Sequence, residues 1–147
     1  MKHCSTIKLW MLILPAVFMF VGTAQGQNID VTALAKEIID ITGVQGGIVV
    51  HIGCGNGKLT AALRINDSYT VHGLETDPAR VANARNYIKE KGIYGPVSVE
   101  QFSGSVLPYT DNLINLVVVQ DAGDVTRDEV MRVLAPGGVA CAWRRGQ

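Results

Sequence analysis

Four residues are best placed to do chemistry. Gly53, Gly55 and Gly57 take alternate positions in Ile48-Val-Val-His-Ile-Gly-Cys-Gly-Asn-Gly-Lys-Leu-Thr60, and Glu75 stands 18 residues beyond Gly57. Glycine admits positive φ and lets a ligand come close to the main chain. An acid at the carboxyl end of the following strand can accept the hydroxyls of a ribose. The pattern describes a corner for a ligand that contains a nucleoside, with N–H groups and the dipole of the next helix aimed at it. Cys54, between the first two glycines, and Thr76, beside Glu75, share that corner. Taken singly, the glycines would make only a tight turn and Glu75 only a solvated strand-end acid.

Spacing separates three glycine-rich motifs. A phosphate-binding P-loop needs Gly-x-x-x-x-Gly-Lys-Ser/Thr; here Leu59 follows Gly57-Lys58, and Ile52 takes the place of the first glycine. A dinucleotide fingerprint needs a tiny residue at its third position, where this chain has Lys58. Gly-x-Gly-x-Gly fits in full. Here Ile52-Gly-Cys-Gly-Asn-Gly57 resembles the first motif of the class I methyltransferases that use S-adenosylmethionine (SAM). Val71-His-Gly-Leu-Glu-Thr-Asp-Pro78 is similar to their second motif, with Glu75 in place of the usual Asp. The resemblance implies SAM as cofactor, cradled by Gly53, Cys54, Gly55 and Gly57 and held through its ribose by Glu75 beside Thr76.

The elements that must position these residues can be read from patterning. Ile48–Ile52 is a short β-branched run bounded by glycines, as in a strand covered on both faces. A helix over Lys58–Ile65 follows. Before it, Asp30 or Thr32 caps a helix over Ala33–Ile41, with Leu34, Ile38 and Ile41 on one face and Gly43 as its stop. Tyr69–Leu74 is the second strand. Asp77 and Pro78 open a helix that runs to about Lys91. Val97–Phe102 is the third strand and Leu113–Val119, apolar almost throughout, the central fourth. A helix over Val125–Leu134, capped by Asp124 or Thr126, stops sharply at Ala135-Pro-Gly-Gly138, and Val139–Trp143 is the fifth strand. Alternating strands and helices with short loops make an α/β fold, a Rossmann-like doubly wound parallel sheet of order 3-2-1-4-5.

The rest of the resemblance adds site residues and departures. Leu107-Pro-Tyr-Thr-Asp-Asn-Leu-Ile-Asn-Leu-Val-Val-Val119 is similar to the family's stretch before and through its fourth strand, with Asn115 where Asp is usual. The family's adenine-binding Asp, four residues before the Leu-Pro pair, is Ser103 here, and Gly104 is able to offer its N–H to the ring. Met131-Arg-Val-Leu-Ala-Pro-Gly-Gly138 resembles the segment that leads into the fifth strand. Asp121 leaves the central strand where the transferred methyl would lie, so it either orients a substrate or is a solvated loop acid. A small-molecule acceptor is implied, and nothing points to a base- or glutamine-methylating Asn-Pro-Pro-Tyr sequence. The family sheet has two further strands, so the domain is expected to be incomplete.

The totals bound partners and compartment. The chain has 147 residues, room for one domain, with 13 basic and 13 acidic residues. Balanced charge gives no footprint for nucleic acid. His3, His51 and His72 are isolated, with no spacing for a metal, and the latter two read as packed core histidines. Residues 1–26, with Lys2 and Lys8, an apolar run Leu9–Val21 and Gly22-Thr-Ala-Gln-Gly26, have the layout of a secretory signal peptide. The run spans roughly 20 Å as helix, short of the ~30 Å hydrocarbon core; an uncleaved signal anchor is the alternative. Residues 27–147 are then the domain, periplasmic or secreted, with Cys54 and Cys141 as two free, buried thiols. The layout is also similar to exported proteins in which such a domain precedes a quinoprotein-type propeller. A non-catalytic nucleoside-binding relic and a dinucleotide (NAD-type) domain are the competing functions.

Overall fold

The computed structural model describes residues 30–143. The expected signal segment lies outside them. Nine elements follow in order: α1 (Val31–Thr42), β1 (Gly47–Ile52), α2 (Lys58–Ala62), β2 (Tyr69–Glu75), α3 (Pro78–Glu90), β3 (Val97–Gln101), β4 (Ile114–Val119), α4 (Arg127–Val133) and β5 (Leu134–Ala142). The five strands form one sheet of order β3-β2-β1-β4-β5, all parallel. That is the expected α/β doubly wound arrangement.

Alternation along the strands splits the core into two layers. Val49, Val71, Val97, Val99, Leu116 and Val118 face α1, α2 and α3, where they meet Ala35, Ile38, Leu63, Ala84 and Ile88. Val50, Ile52, Leu74, Ile114 and Val117 face the other way, onto Leu107, Val125, Val130 and Val133. Each fully buried side chain of this size contributes about 1.5–3 kcal/mol. The helix caps are the expected polar ones. Asp30 accepts from the Thr32 N–H at 2.9 Å, Asp77 from the Ala79 N–H at 2.8 Å, and Gly43 closes α1 at φ 68°.

Four details differ from the reading of the sequence. Ile41 is 75% exposed, and Ala35 and Ile39 are buried beside Ile38 in its stead. The α2 helix is five residues and ends before Leu63. Thr126, not Asp124, caps α4. Ala135–Gly138 is not a stop between helix and strand: Leu134 already pairs with Ile114, and the ladder resumes at Leu116 and Val139 across an irregularity. The glycines permit that excursion, since a Cβ on Gly138 would lie 2.8 Å from the Ile114 carbonyl oxygen.

Candidate ligand-binding site

The carboxyl ends of β1, β2 and β4 surround a crevice that is open to solvent. Its walls include Gly53, Glu75, Thr76, Ser103, Gly104 and Asp121. Six of the nine expected site residues therefore meet at the place where strand order reverses, where open α/β sheets bind ligands.

Cys54, Gly55 and Gly57 are not among the walls, and each has a physical reason. The Cys54 thiol is buried, 3% exposed, in the layer under the sheet. A Cβ on Gly73 would sit 2.9 Å from its sulfur. Burial, with Glu75 nearby, pushes that thiol up to about 12, so it is no nucleophile. Gly57 is a packing residue: a Cβ there would meet the Ala84 Cβ at 2.8 Å, and its φ is +74°. Gly55, at φ +57°, has nothing within 4 Å of such a Cβ and faces open space. Gly53 has a further duty, since its missing Cβ makes room for Asp121, whose backbone N would be 2.6 Å away.

Five N–H groups of the glycine corner are spent within the protein, contrary to expectation. Those of Gly53 and Cys54 donate to the Leu74 carbonyl, and that of Gly57 to the Cys54 carbonyl. The Lys58 N–H donates to Asn56 Oδ1 at 3.2 Å. The Gly55 N–H donates to Glu75 Oε2 at 2.8 Å. Glu75 Oε1 accepts from the N–H groups of Thr76, at 2.9 Å, and Asp77, at 3.2 Å. Glu75 is thus a buried strut, 4% exposed, that ties β1 to β2 while it lines the crevice. A carboxylate oxygen has two lone pairs. Oε2 has one left for a ligand hydroxyl, whereas Oε1 is spent, so the expected grip on two hydroxyls reduces to one without rearrangement.

Asp121 Oδ1 accepts from the Gly123 N–H at 3.1 Å, which shapes the loop after β4. The walls also include Ile52, Leu74, Phe102, Ala122, Gly123 and Asp124, none of them singled out from sequence. Their signal was position: Ile52, Leu74 and Phe102 lie at or beside a strand's carboxyl end, and Ala122, Gly123 and Asp124 lie in the loop after β4. The wall carries three carboxylates, Glu75, Asp121 and Asp124, and no Lys or Arg.

His51 is fully buried and bonds Thr60 Oγ1 through Nδ1 at 2.9 Å; it is a packed core residue, as expected. Burial holds it down to about 4. His72 is half-buried and meets the Tyr109 hydroxyl at 2.6 Å. Both thiols are free, though Cys141 is only half-buried. Asn115 repays its departure from the family pattern: its Oδ1 accepts from the Ile48 N–H at 2.9 Å, closing the foot of β1 onto β4. No group of three or more metal-binding side chains occurs among the described residues, and no described helix is long and apolar enough to cross a membrane.

Residues 49–138 match the methyltransferase domain family. A methyltransferase of Streptomyces halstedii, GfsG, is 30% identical over 109 residues, covering 69% of this chain and 38% of that protein. The ubiquinone/menaquinone biosynthesis C-methyltransferase UbiE of Hydrogenovibrio crunogenus is 28% identical over 112 residues, covering 70% and 44%. The chain thus spans less than half the length of either relative. Among solved structures, geranyl diphosphate C-methyltransferase from Streptomyces coelicolor superposes with a TM-score of 0.68 at 18% identity, over 77% of this chain and 45% of that one. The [4+2]-cyclase SpnF superposes at 0.65 and 24% identity, over 74% and 43%. These two likenesses speak to the fold alone. The comparisons lend no support to a propeller fusion. With the crevice, the strand order and the matched residues in agreement, the chain belongs to the class I SAM-dependent methyltransferase family.

Proposed function

We propose that the crevice binds SAM and that the chain forms the cofactor-binding core of a methyltransferase with a small-molecule acceptor. The observation that carries this reading is the pairing of spent N–H donors with an all-acidic rim. A dinucleotide lays its pyrophosphate on free N–H groups at a helix N-terminus. Here the N–H groups of Gly53, Cys54, Gly55, Gly57 and Lys58 are already spent within the protein, and the walls hold three carboxylates and no cation. That field repels a pyrophosphate and attracts a sulfonium and an ammonium.

Bound SAM would supply an activated methyl, so positioning does much of the work and no dedicated base is required. Glu75 would take a ribose hydroxyl on the free lone pair of Oε2. Thr76 and Phe102 would flank the nucleoside, and Ser103 and Gly104 would meet its base. Gly55 leaves the space that a side chain would fill. Asp121 and Asp124 would face the positive end. The fit holds for these residues, with Ser103 a weaker partner than a carboxylate.

The relatives' names range over ubiquinone/menaquinone biosynthesis, ribosomal protein L11 and geranyl diphosphate, so kinship does not choose the acceptor. A diphosphate would find no cation on these walls. The layout of residues 1–26 supports export, which the mass of the protein recovered from cell fractions would test.

Titration calorimetry of the full chain with SAM, S-adenosylhomocysteine and NAD tests the proposal. Binding of the first two without NAD is expected. Binding of NAD alone would replace the reading with a dinucleotide domain, and binding of none would leave a relic.

A further inference from the structure

One guanidinium on α4 organises a segment that the chemistry of the crevice depends on. Arg132 has five N–H donors, and all five are placed. Nε and Nη2 reach the two oxygens of Glu129 at 2.9 and 2.6 Å. Nη1 donates to the Tyr109 carbonyl at 3.0 Å and to Asp111 Oδ1 at 2.5 Å. Nη2 also reaches the Leu107 carbonyl at 3.3 Å. Glu129 Oε1 in turn accepts the Leu107 N–H at 2.6 Å. Ordinary surface ion pairs contribute little. This one is bidentate, its carboxylate side chain is 12% exposed, and it satisfies three backbone groups of a neighbouring segment.

The position of that segment gives the pair its meaning. Upstream, the Phe102 N–H is fixed to the Glu75 carbonyl at 2.9 Å. Downstream, Leu107 is 2% exposed and fixed to Glu129. Between the two anchors run Ser103, Gly104, Ser105 and Val106, all exposed, and the first two of these form the crevice rim. So short a bridge has little slack, and moving one anchor moves the rim.

We propose that Arg132 and Glu129 are positioning residues of the crevice: by seating Leu107–Asp111 they hold the Ser103–Gly104 rim where a nucleoside base would meet it. The proposal rests on the crevice reading above, but its test also has an arm that needs no ligand. Arg132→Lys keeps the charge and loses the fork. In the full chain without ligand, hydrogen exchange at the Leu107 amide is expected to rise about tenfold. Nitrogen relaxation at Ser103 and Gly104 should show greater mobility, while β1 and β4 amides keep their protection. SAM, where the wild type binds it, should bind about tenfold more weakly. Glu129→Gln repeats all three readouts should the lysine variant fail to fold. Asp111→Asn, which alters only the exposed partner of Arg132, should change none. Unchanged rim mobility and Leu107 exchange in a folded variant would overturn the proposal, whatever the ligand does. A wild type that ignores SAM would sink the crevice reading while the exchange and relaxation data still decide the clamp.

Discussion

At the residue scale the three glycines have three different duties, which their spacing could not show. Sequence marks a glycine only as permissive; what occupies the space beside it is a tertiary fact. Gly57→Ala forces a Cβ against Ala84 at 2.8 Å and is expected to lower stability by about 1–3 kcal/mol. Gly55→Ala meets no neighbour, so it costs only the left-handed backbone, about 1–2 kcal/mol; on the proposed reading, in which SAM lies against the glycine turn, it should also weaken SAM binding. Thermal melts and calorimetry on the pair separate the two duties; equal binding by Gly55→Ala and wild type would place the ligand elsewhere. Glu75 was legible as a strand-end acid near the glycines, but its bonds to Gly55, Thr76 and Asp77 were not. Glu75→Gln sets an amide N–H₂ against backbone donors and should cost about 1–3 kcal/mol of stability in addition to weakening SAM. A melt that does not move would mean the strut is not formed.

At the element scale, boundaries marked by caps were readable and those set by packing were not. Asp30, Asp77-Pro78 and Gly43 fix helix ends through local hydrogen bonds and φ preferences, and the structure keeps them. Ile41 fits a helical stripe in sequence, yet the face that packs is turned toward Ala35 and Ile39, because the sheet's orientation decides which stripe is buried. Ala135–Gly138 carries the chemistry of a turn, and pairing with β4 makes it an irregularity in β5. Among the described residues β5 is an edge strand. It carries no charged residue from Leu134 to Ala142, and charges are what protect such edges from pairing with another chain. Ala140 and Ala142 are exposed. Concentration-dependent association is therefore expected by sedimentation, and Ala140→Lys should suppress it without lowering the melting temperature. Association that survives the lysine would place the contact on another surface.

At the scale of the whole molecule, the parallel sheet was legible because it demands strand-forming runs joined mostly by helices, and this chain supplies five strands with a helix before each except β4. The crossing of the 103–113 segment over one face was not, since it lacks periodicity and is pinned by Arg132 and Glu129 from far along the chain. Those pins and the buried histidine give the fold its response to acid. His51 stays neutral down to about 4 because of burial, whereas an unfolded histidine takes up a proton near 6.5. The unfolded state then binds more protons, so stability falls as pH drops from 6.5 to 4, by up to about 3 kcal/mol for this group. Burial lowers His72 too and adds in the same direction. Glu129, bonded to Arg132, is held down to about 2; its contribution is present above its unfolded value near 4.5 and is lost as pH falls toward 2. Two successive losses are thus expected in melting temperature against pH, one on each side of about 4. Glu129→Gln should make the lower limb shallower and leave the upper one in place, because the carboxylate at this position titrates there and the amide does not. If the variant's profile below pH 4 still parallels that of the wild type, the Arg132–Glu129 pair is not what acid dissolves, and the clamp on the crevice rim loses its electrostatic basis.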